Sequence, residues 1–244
     1  MIKLDINSDV GEGVGNEAQL MPYISSCNIA CGGHAGTQES MEEMLAFAKA
    51  YNIKIGAHPS YPDKENFGRV IIDISDNDLR KSIISQVTTL KNLAKKNGLS
   101  LNHIKPHGAL YNLAAKDKKI ANLIVDCVLT IDDGLYLYVP YNSVLFEEAS
   151  DKVKTIVEGF ADRRYLSDYS LMPRSQKGAV IIESDRVVQQ VLDIVKDHKI
   201  KVNTGELLPF KVETVCVHSD TENAMLIAQN LHKQLKKEGI HIGL

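Results

Sequence analysis

The sequence predicts an α/β fold in which parallel strands close into a barrel, and three observations carry that expectation. Short apolar runs alternate with amphipathic helical stripes, with no internal repeat and no low-complexity tract. Within those runs one face is repeatedly polar. The chain has 244 residues, enough for one large domain over 1–244, and nothing in it reads as a linker.

The elements follow in order. The first strand, 2–6 (IKLDI), places Ile2, Leu4 and Ile6 on one face and Asp5, Asn7 and Asp9 on the other, because side chains alternate with period two. A second, 27–30, sets Asn28 opposite Cys27 and Ile29. A helix follows Thr37, with Met41, Met44, Leu45 and Ala48 on one stripe. In the third strand, 53–57 (IKIGA), Ile53, Ile55 and Ala57 oppose Lys54, Gly56 and His58. The helix over 76–97 carries Leu79, Ile83, Val87, Leu90 and Ala94 at helical spacing, with Ser75 and Asp78 as a capping box and Gly98 as a C-cap. The fourth strand, 101–105, puts His103 and Lys105 together against Ile104. Strands at 135–139, 154–158, 179–182 and 213–217 follow, Glu158 lining up with Asp162 and His218 with Asp220. Thr204-Gly205 within 201–211 reads as a β-hairpin inserted before the final strand. The last helix, 221–238, presents Ala224, Ala228, Leu231 and Leu235 ahead of Gly239.

Repeated βα units fit a closed barrel or an open, doubly wound sheet. An open sheet covered on both faces reads as nearly continuous apolar runs, whereas a barrel keeps its apolar packing outside and can hold polar groups around its axis. The alternation favours a barrel of seven or eight strands. Its C-terminal mouth then gathers Asn7, Asp9, His34, His58, Lys105, His107, Asp162, His218 and Asp220. A lone histidine at a strand end is more often a hydrogen-bonded structural residue than a catalyst. Nine polar groups at corresponding strand ends point the other way. His34 follows Gly32 and Gly33, which let the backbone turn without a supporting core, so its side chain is expected to face a cavity.

Several function classes are set aside. A formal charge of −3 from 28 basic and 31 acidic residues, in no long blocks, offers no surface for nucleic acid. The start MIKLDINSD lacks the pattern of a signal peptide, and no stretch nears the roughly 20 apolar residues that span a bilayer; a cytoplasmic location without membrane contact is expected. Four cysteines are no disulfide scaffold, and Cys27 and Cys31 share a strand face as core thiols. Asn16 stands where GxGxxG needs its third glycine, there is no GK[ST], and Ser8, Ser60 and Ser219 lie outside any GxSxG elbow.

Taken together, DINSDVGE (5–12), NIACGGHAG (28–36), GAHPSYPD (56–63), FGR (67–69), KPHGALYN (105–112), FADRRY (160–165), PRSQKGAVI (173–181) and CVHSD (216–220) resemble the LamB/YcsF family, in the right order from about residue 3 to 239. The resemblance implies one domain over 1–244, a distorted TIM-like barrel related to glycoside hydrolases and deacetylases. It also implies ATP-dependent opening of 5-oxoproline (pyroglutamate) to L-glutamate, performed with partner subunits B and C of a 5-oxoprolinase. The family usually has Cys at Ser8, Asp at Thr37, Arg at Val70 and Gly at Ser219, and a longer loop after Glu12. Ser8 then argues against a cysteine nucleophile, and Thr37 removes a carboxylate from the mouth.

A five-membered lactam is an unactivated amide, so its opening needs oxyanion stabilisation, a base for water and an acid for the leaving nitrogen. Residue types assign Asp9 or His58 as base, His107 as acid, and Lys105 with Arg69 or Arg163 as holders of a carboxylate or phosphate. His34 and Asp162 join the catalytic set, and Asn7, Asn28, Tyr111, Arg174, His218 and Asp220 complete the substrate-binding one. The resemblance, with the missing nucleotide motif, implies that ATP is handled with the partner subunits, one of which is expected to phosphorylate the lactam oxygen. Two rivals stand beside this reading. A metal-dependent hydrolase or deacetylase of a small molecule or carbohydrate would use Asp9, His34, His58 and His218 as ligands for zinc or manganese, although HExxH and a close HxxxH pair are absent. A non-catalytic subunit would only bind 5-oxoproline or scaffold its partners.

Overall fold

A computed structural model of the chain describes residues 2–243. Its centre is a closed barrel of seven parallel strands. These are β1 (Lys3–Val10), β2 (Ser26–Ala30), β3 (Lys54–His58), β4 (Leu101–Ile104), β5 (Tyr136–Pro140), β6 (Lys154–Phe160) and, after the hairpin of β7 (Lys199–Lys201) and β8 (Leu207–Pro209), β9 (Thr214–Cys216). β9 pairs with β6 on one side and β1 on the other, which closes the ring. A short β10 (His241–Ile242) adds to the start of β1.

The expected strand at 179–182 is not a member of this ring. Val180 makes one antiparallel bridge to Arg163, and Ile181 N–H donates to the Asp162 carbonyl at 2.8 Å. The reason is closure: Gly159 on β6 already faces Val215 on β9, so no free edge remains for an eighth strand there. The 201–211 expectation is met by the β7–β8 hairpin.

The helices are α1 (Glu17–Leu20), α2 (Gln38–Tyr51), α3 (Asp76–Lys96), α4 (Gly108–Ala114), α5 (Lys118–Ile131), α6 (Val144–Ala149), α7 (Ser184–Asp197) and α8 (Ala224–Lys237). Thr37 caps α2 in a reciprocal box with Ser40. At α3 the box is only half made. Ser75 Oγ accepts from Asp78 N–H at 3.2 Å, but the Asp78 carboxylate takes the Ser75 hydroxyl rather than the Ser75 N–H. Among the described residues, no helix is long and apolar enough to cross a membrane.

The predicted alternation sorts the barrel into two layers. Leu4, Ile6, Cys27, Ile29, Ile55, Ala57, Ile104 and Leu137 are buried toward the helices. Burial pushes the thiols of Cys27 and Cys31 up to about 12, as befits core residues. Inward lie Asp5, Asn7, Asn28, His103, Lys105, Glu158 and Thr214, all at most 1% exposed. Polar groups so deep each cost about 1–3 kcal/mol if left unpaired, so the axis is stable only as a satisfied network. At its base Asp5 accepts from Ser25 and Ser26 at 2.6 Å, and from Tyr138 and Thr214. Burial raises its carboxyl, and these hydroxyls offset that only in part. Above it, His103 Nε2 meets Asn28 Oδ1 at 2.7 Å and Asn28 donates to Asn7 at 2.8 Å.

Candidate active site

The network ends upward in Lys105, the deepest charge at the mouth. Its Nζ lies 2.9 Å from Asp9 Oδ1 and 2.9 Å from Glu158 Oε1, 3.3 Å from Asn7 Oδ1 and 3.2 Å from Cys216 Sγ. Three hydrogens therefore already have four acceptors. Burial opposes the ammonium, yet Asp9, Cys216 and Glu158 hold it well above the usual lysine value. Glu158 also accepts from Asn7 at 2.9 Å and from Tyr111 Oη at 2.9 Å. Asp9 takes Asn28 at 2.8 Å on the oxygen that meets Lys105, which leaves Oδ2 toward His58 at 3.5 Å. Burial would raise Asp9, but His58 and Lys105 hold it well below the usual carboxylate range, so it is ionised.

Beside this hub three imidazoles converge on Glu12. His58 Nδ1 lies 2.7 Å from the Lys105 carbonyl and His107 Nε2 lies 3.0 Å from the Phe67 carbonyl. A carbonyl only accepts, so each of these nitrogens carries its ring hydrogen. The remaining nitrogens, His58 Nε2 and His107 Nδ1, then face each other at 3.0 Å with lone pairs, and a positive centre must sit between them. With a proton there, His58 is the imidazolium: burial lowers it, but Asp9 raises it further, whereas burial and His58 push His107 down to about 2. The Phe67 carbonyl is aimed by a strained backbone, φ +55° at a non-glycine residue. His34 stacks on His107 at 3.6 Å and donates from Nε2 to Glu12 Oε1 at 2.8 Å. Burial and His58 drive His34 down to about 3.

These groups form the floor of a cavity of about 620 Å³, lined by Asp9, Glu12, His58, Lys105 and His107. On its wall His218 stacks on Phe160 at 5.3 Å, and its Nδ1 is held by Asp162 Oδ1 at 2.9 Å. That leaves Nε2 as the free nitrogen of a lining histidine. The rim carries three arginines. Arg69 and Arg174 both pair with Asp220, at 2.7 and 2.9 Å. Burial would raise Asp220; Arg174 and His218 bring it below the ordinary range. Arg163 is 6% exposed, gives Nη2 to the Met172 carbonyl at 2.8 Å, and keeps a buried Nε with no partner.

The LamB/YcsF family model matches residues 4–243. The chain belongs to the LamB/YcsF family. It is 41% identical to the A subunit of 5-oxoprolinase from Staphylococcus aureus strain JH9, over 99% of each chain. The crystal structure of the lactam utilization protein from Thermus thermophilus superposes with a TM-score of 0.93 at 33% identity, over 99% of each chain. The peptidoglycan deacetylase PdaC of Bacillus subtilis shares the fold alone, with a TM-score of 0.51 at 11% identity, over 100% of this chain and 88% of that one.

The LamB/YcsF mouth does bring Asp9, His58, Lys105 and His107 into one contact set, but it redistributes other expected residues. His34 is 2% exposed and does not line the cavity; it lies behind His107 and Glu12. Gly33 serves packing rather than openness, since a Cβ there would meet Ser60 Oγ and Gln86 Oε1, while Gly32 makes the expected turn at φ +105°. Asp162 is fully buried and reaches the cavity only through His218. Asn7 and Asn28 lie below Lys105 in the axis and do not line the cavity themselves; they hold the lining residues Glu158, Lys105 and Asp9 from beneath. Arg69, Tyr111, Arg163, Arg174, His218 and Asp220 all line it. The metal set Asp9, His34, His58 and His218 does not assemble: Glu12 groups with His34, His58 and His107, and Asp9 with Cys216 and His218. Thr37 is a helix cap and withdraws no carboxylate from the mouth, while Ser8 Oγ is bound to the Val217 carbonyl at 2.7 Å. Val70 is half exposed, and Ser219 lines the cavity with a buried, unpartnered hydroxyl. Glu12 and Glu158 were not among the expected site residues. Strand phase with Asp162 pointed to Glu158, whereas Glu12 follows the turn at Gly11, where alternation stops.

Proposed function

We propose that this chain opens the lactam ring of 5-oxoproline to give L-glutamate in an ATP-dependent reaction, as the hydrolytic component of a cytoplasmic enzyme completed by companion subunits B and C. The observation that carries the reading is the Asp162–His218 pair beside the Asp9–Lys105–Glu158 hub, on one cavity, in a chain 41% identical to the A subunit of a 5-oxoprolinase. Such a site combines a held histidine with fixed, buried charge, which is what amide opening demands.

Arg163, a buried guanidinium with an unpartnered Nε, takes the substrate carboxylate. ATP is bound by one of the companion proteins, which transfers a phosphoryl group to the lactam oxygen; support comes from a sequence without GxGxxG or GK[ST]. A water then adds to the activated carbon while His218 Nε2 takes its proton. The same nitrogen returns the proton to the ring nitrogen as the C–N bond breaks and the added hydroxyl gives up its remaining proton to solvent, becoming the acyl carbonyl. The acyl phosphate that remains is hydrolysed by a second water to the side-chain carboxylate and phosphate. Asp9 keeps an ionised Oδ2 toward the water. Two roles differ from those expected from residue type. His107 has both nitrogens engaged, by Phe67 and His58, and Lys105 is saturated, so neither is the free acid or the anion holder.

Glutamate release measured with ATP, for the chain alone and after addition of B and C, tests the assignment. Formation only in the reconstituted mixture is expected. Turnover by the lone chain at the rate of the full mixture would refute the division of labour. An undiminished rate with His218→Ala in the mixture would make the chain a binding component without a catalytic part.

A further inference from the structure

We infer that Glu12, His58 and His107 form a binding site for one first-row divalent cation of the zinc class, open on the cavity floor, with His34, stacked flat on His107, holding Glu12 from behind rather than ligating. The inference stands apart from the lactam reaction, because a chain that binds the ion satisfies it whatever the substrate.

Two features of the cluster lead there. First, His58 and His107 each tie their outer ring N–H to a main-chain carbonyl, at 2.7 and 3.0 Å, which fixes the tautomers so that both inner lone pairs point at one spot. Metal-bound imidazoles are held in this way. Second, the spacing is that of a coordination shell. The donor atoms lie 3.3 Å (His107 to Glu12), 3.8 Å (His58 to Glu12) and 3.0 Å (His58 to His107) apart. Ligands at the roughly 2.0–2.1 Å of Zn–N and Zn–O bonds in a tetrahedron stand about 3.3 Å apart. Two imidazoles and one carboxylate around a single point suit zinc and its neighbours. Glu12, His58 and His107 line the cavity and His34 backs them, so one side of the ion would face substrate or water.

The other titratable group, Asp9, Cys216 and His218, is unsuited. Asp9 and Cys216 already contact the Lys105 ammonium at 2.9 and 3.2 Å, and a second cation there would be repelled.

The test uses the full chain expressed with added zinc and purified without chelator. Elemental analysis should find one zinc ion per chain, and protein stripped by chelator should regain its melting temperature on zinc addition. Cobalt(II) added to stripped protein should give visible ligand-field absorption. Glu12→Gln and His107→Gln should weaken cobalt binding by more than about 100-fold, beyond the loss for an outer-shell partner, while His218→Gln should bind as wild type. Each variant's melting curve is recorded, and a poorly folded His107→Gln leaves Glu12→Gln to decide. Substoichiometric zinc together with no cobalt absorption in folded stripped protein would overturn the site and leave a proton between His58 and His107. Loss of binding in His218→Gln alone would overturn it as well.

Discussion

Replacing Lys105 by methionine removes the one cation that faces Asp9 and Glu158, both buried, at 2.9 Å each. Methionine has nearly the same length, so packing changes little and the electrostatic loss is isolated. Breaking a buried pair by deleting one partner costs about 3–5 kcal/mol, because the other charge stays buried without compensation. For a chain of this size about 1 kcal/mol moves the melting temperature by roughly 2–4 °C, so Lys105→Met should melt about 6–20 °C lower at neutral pH. The pH dependence identifies the cause. In the wild type, Asp9 is held below its ordinary value, so its contribution is present above the unfolded value of about 3.9 and is lost as pH falls through the lower folded one. Without Lys105 a main cause of that lowering is gone while desolvation remains, so ionising the buried Asp9 becomes a growing cost as pH rises above about 4. The gap between variant and wild type should therefore be widest near neutrality and narrow toward pH 4. Thermal or urea unfolding followed by circular dichroism across that range measures it. A variant melting within a degree or two of wild type at neutral pH, or a gap that does not change with pH, would refute this account of the hub.

Asp162→Asn should cut glutamate production by the reconstituted enzyme on the order of 10²–10⁴-fold, the usual worth of a positioned acid–base group, and adding His218→Ala should lower it little further because the two act as a unit. Arg163→Ala should raise KM for 5-oxoproline more than it lowers kcat, as steady-state kinetics at saturating ATP would report. His34→Ala should destabilise by about 1–3 kcal/mol, since it strands buried Glu12 Oε1; an unchanged melting curve would show that His34 is not packed there. In Gly56→Ala the new Cβ would meet the His103 ring at 2.1 Å inside the barrel, and overpacking of this kind costs about 1–3 kcal/mol, read as a lower melting temperature.

Much of this was legible in the chain. A strand that alternates Asp5, Asn7 and Asp9 against Leu4 and Ile6 declares its two faces locally, because the period of two is a property of the extended backbone itself. The same logic placed His58, His103 and Lys105 on the inner face and located the mouth at the strand ends. The motif blocks pointed to the LamB/YcsF family on residues alone.

What sequence could not supply were facts about closure and depth. Whether 179–182 pairs as a strand depended on β9 reaching β6, a contact between segments more than fifty residues apart in the chain. Which mouth residues face the cavity and which lie behind them depended on three-dimensional layering: His34 and His107 carry the same side chain on similar glycine-flanked turns, yet His107 lines the cavity and His34 is stacked behind it. Glu12 enters the histidine cluster only because the chain turns after β1, beyond the reach of strand phase. Strand faces and the chemical types at the mouth are written in the order of residues, since they follow from local backbone geometry. The seven-stranded closure, the saturation of Lys105 and the grouping of Glu12 with three histidines emerge only in the folded chain, because each arises from contacts between residues that lie far apart along it.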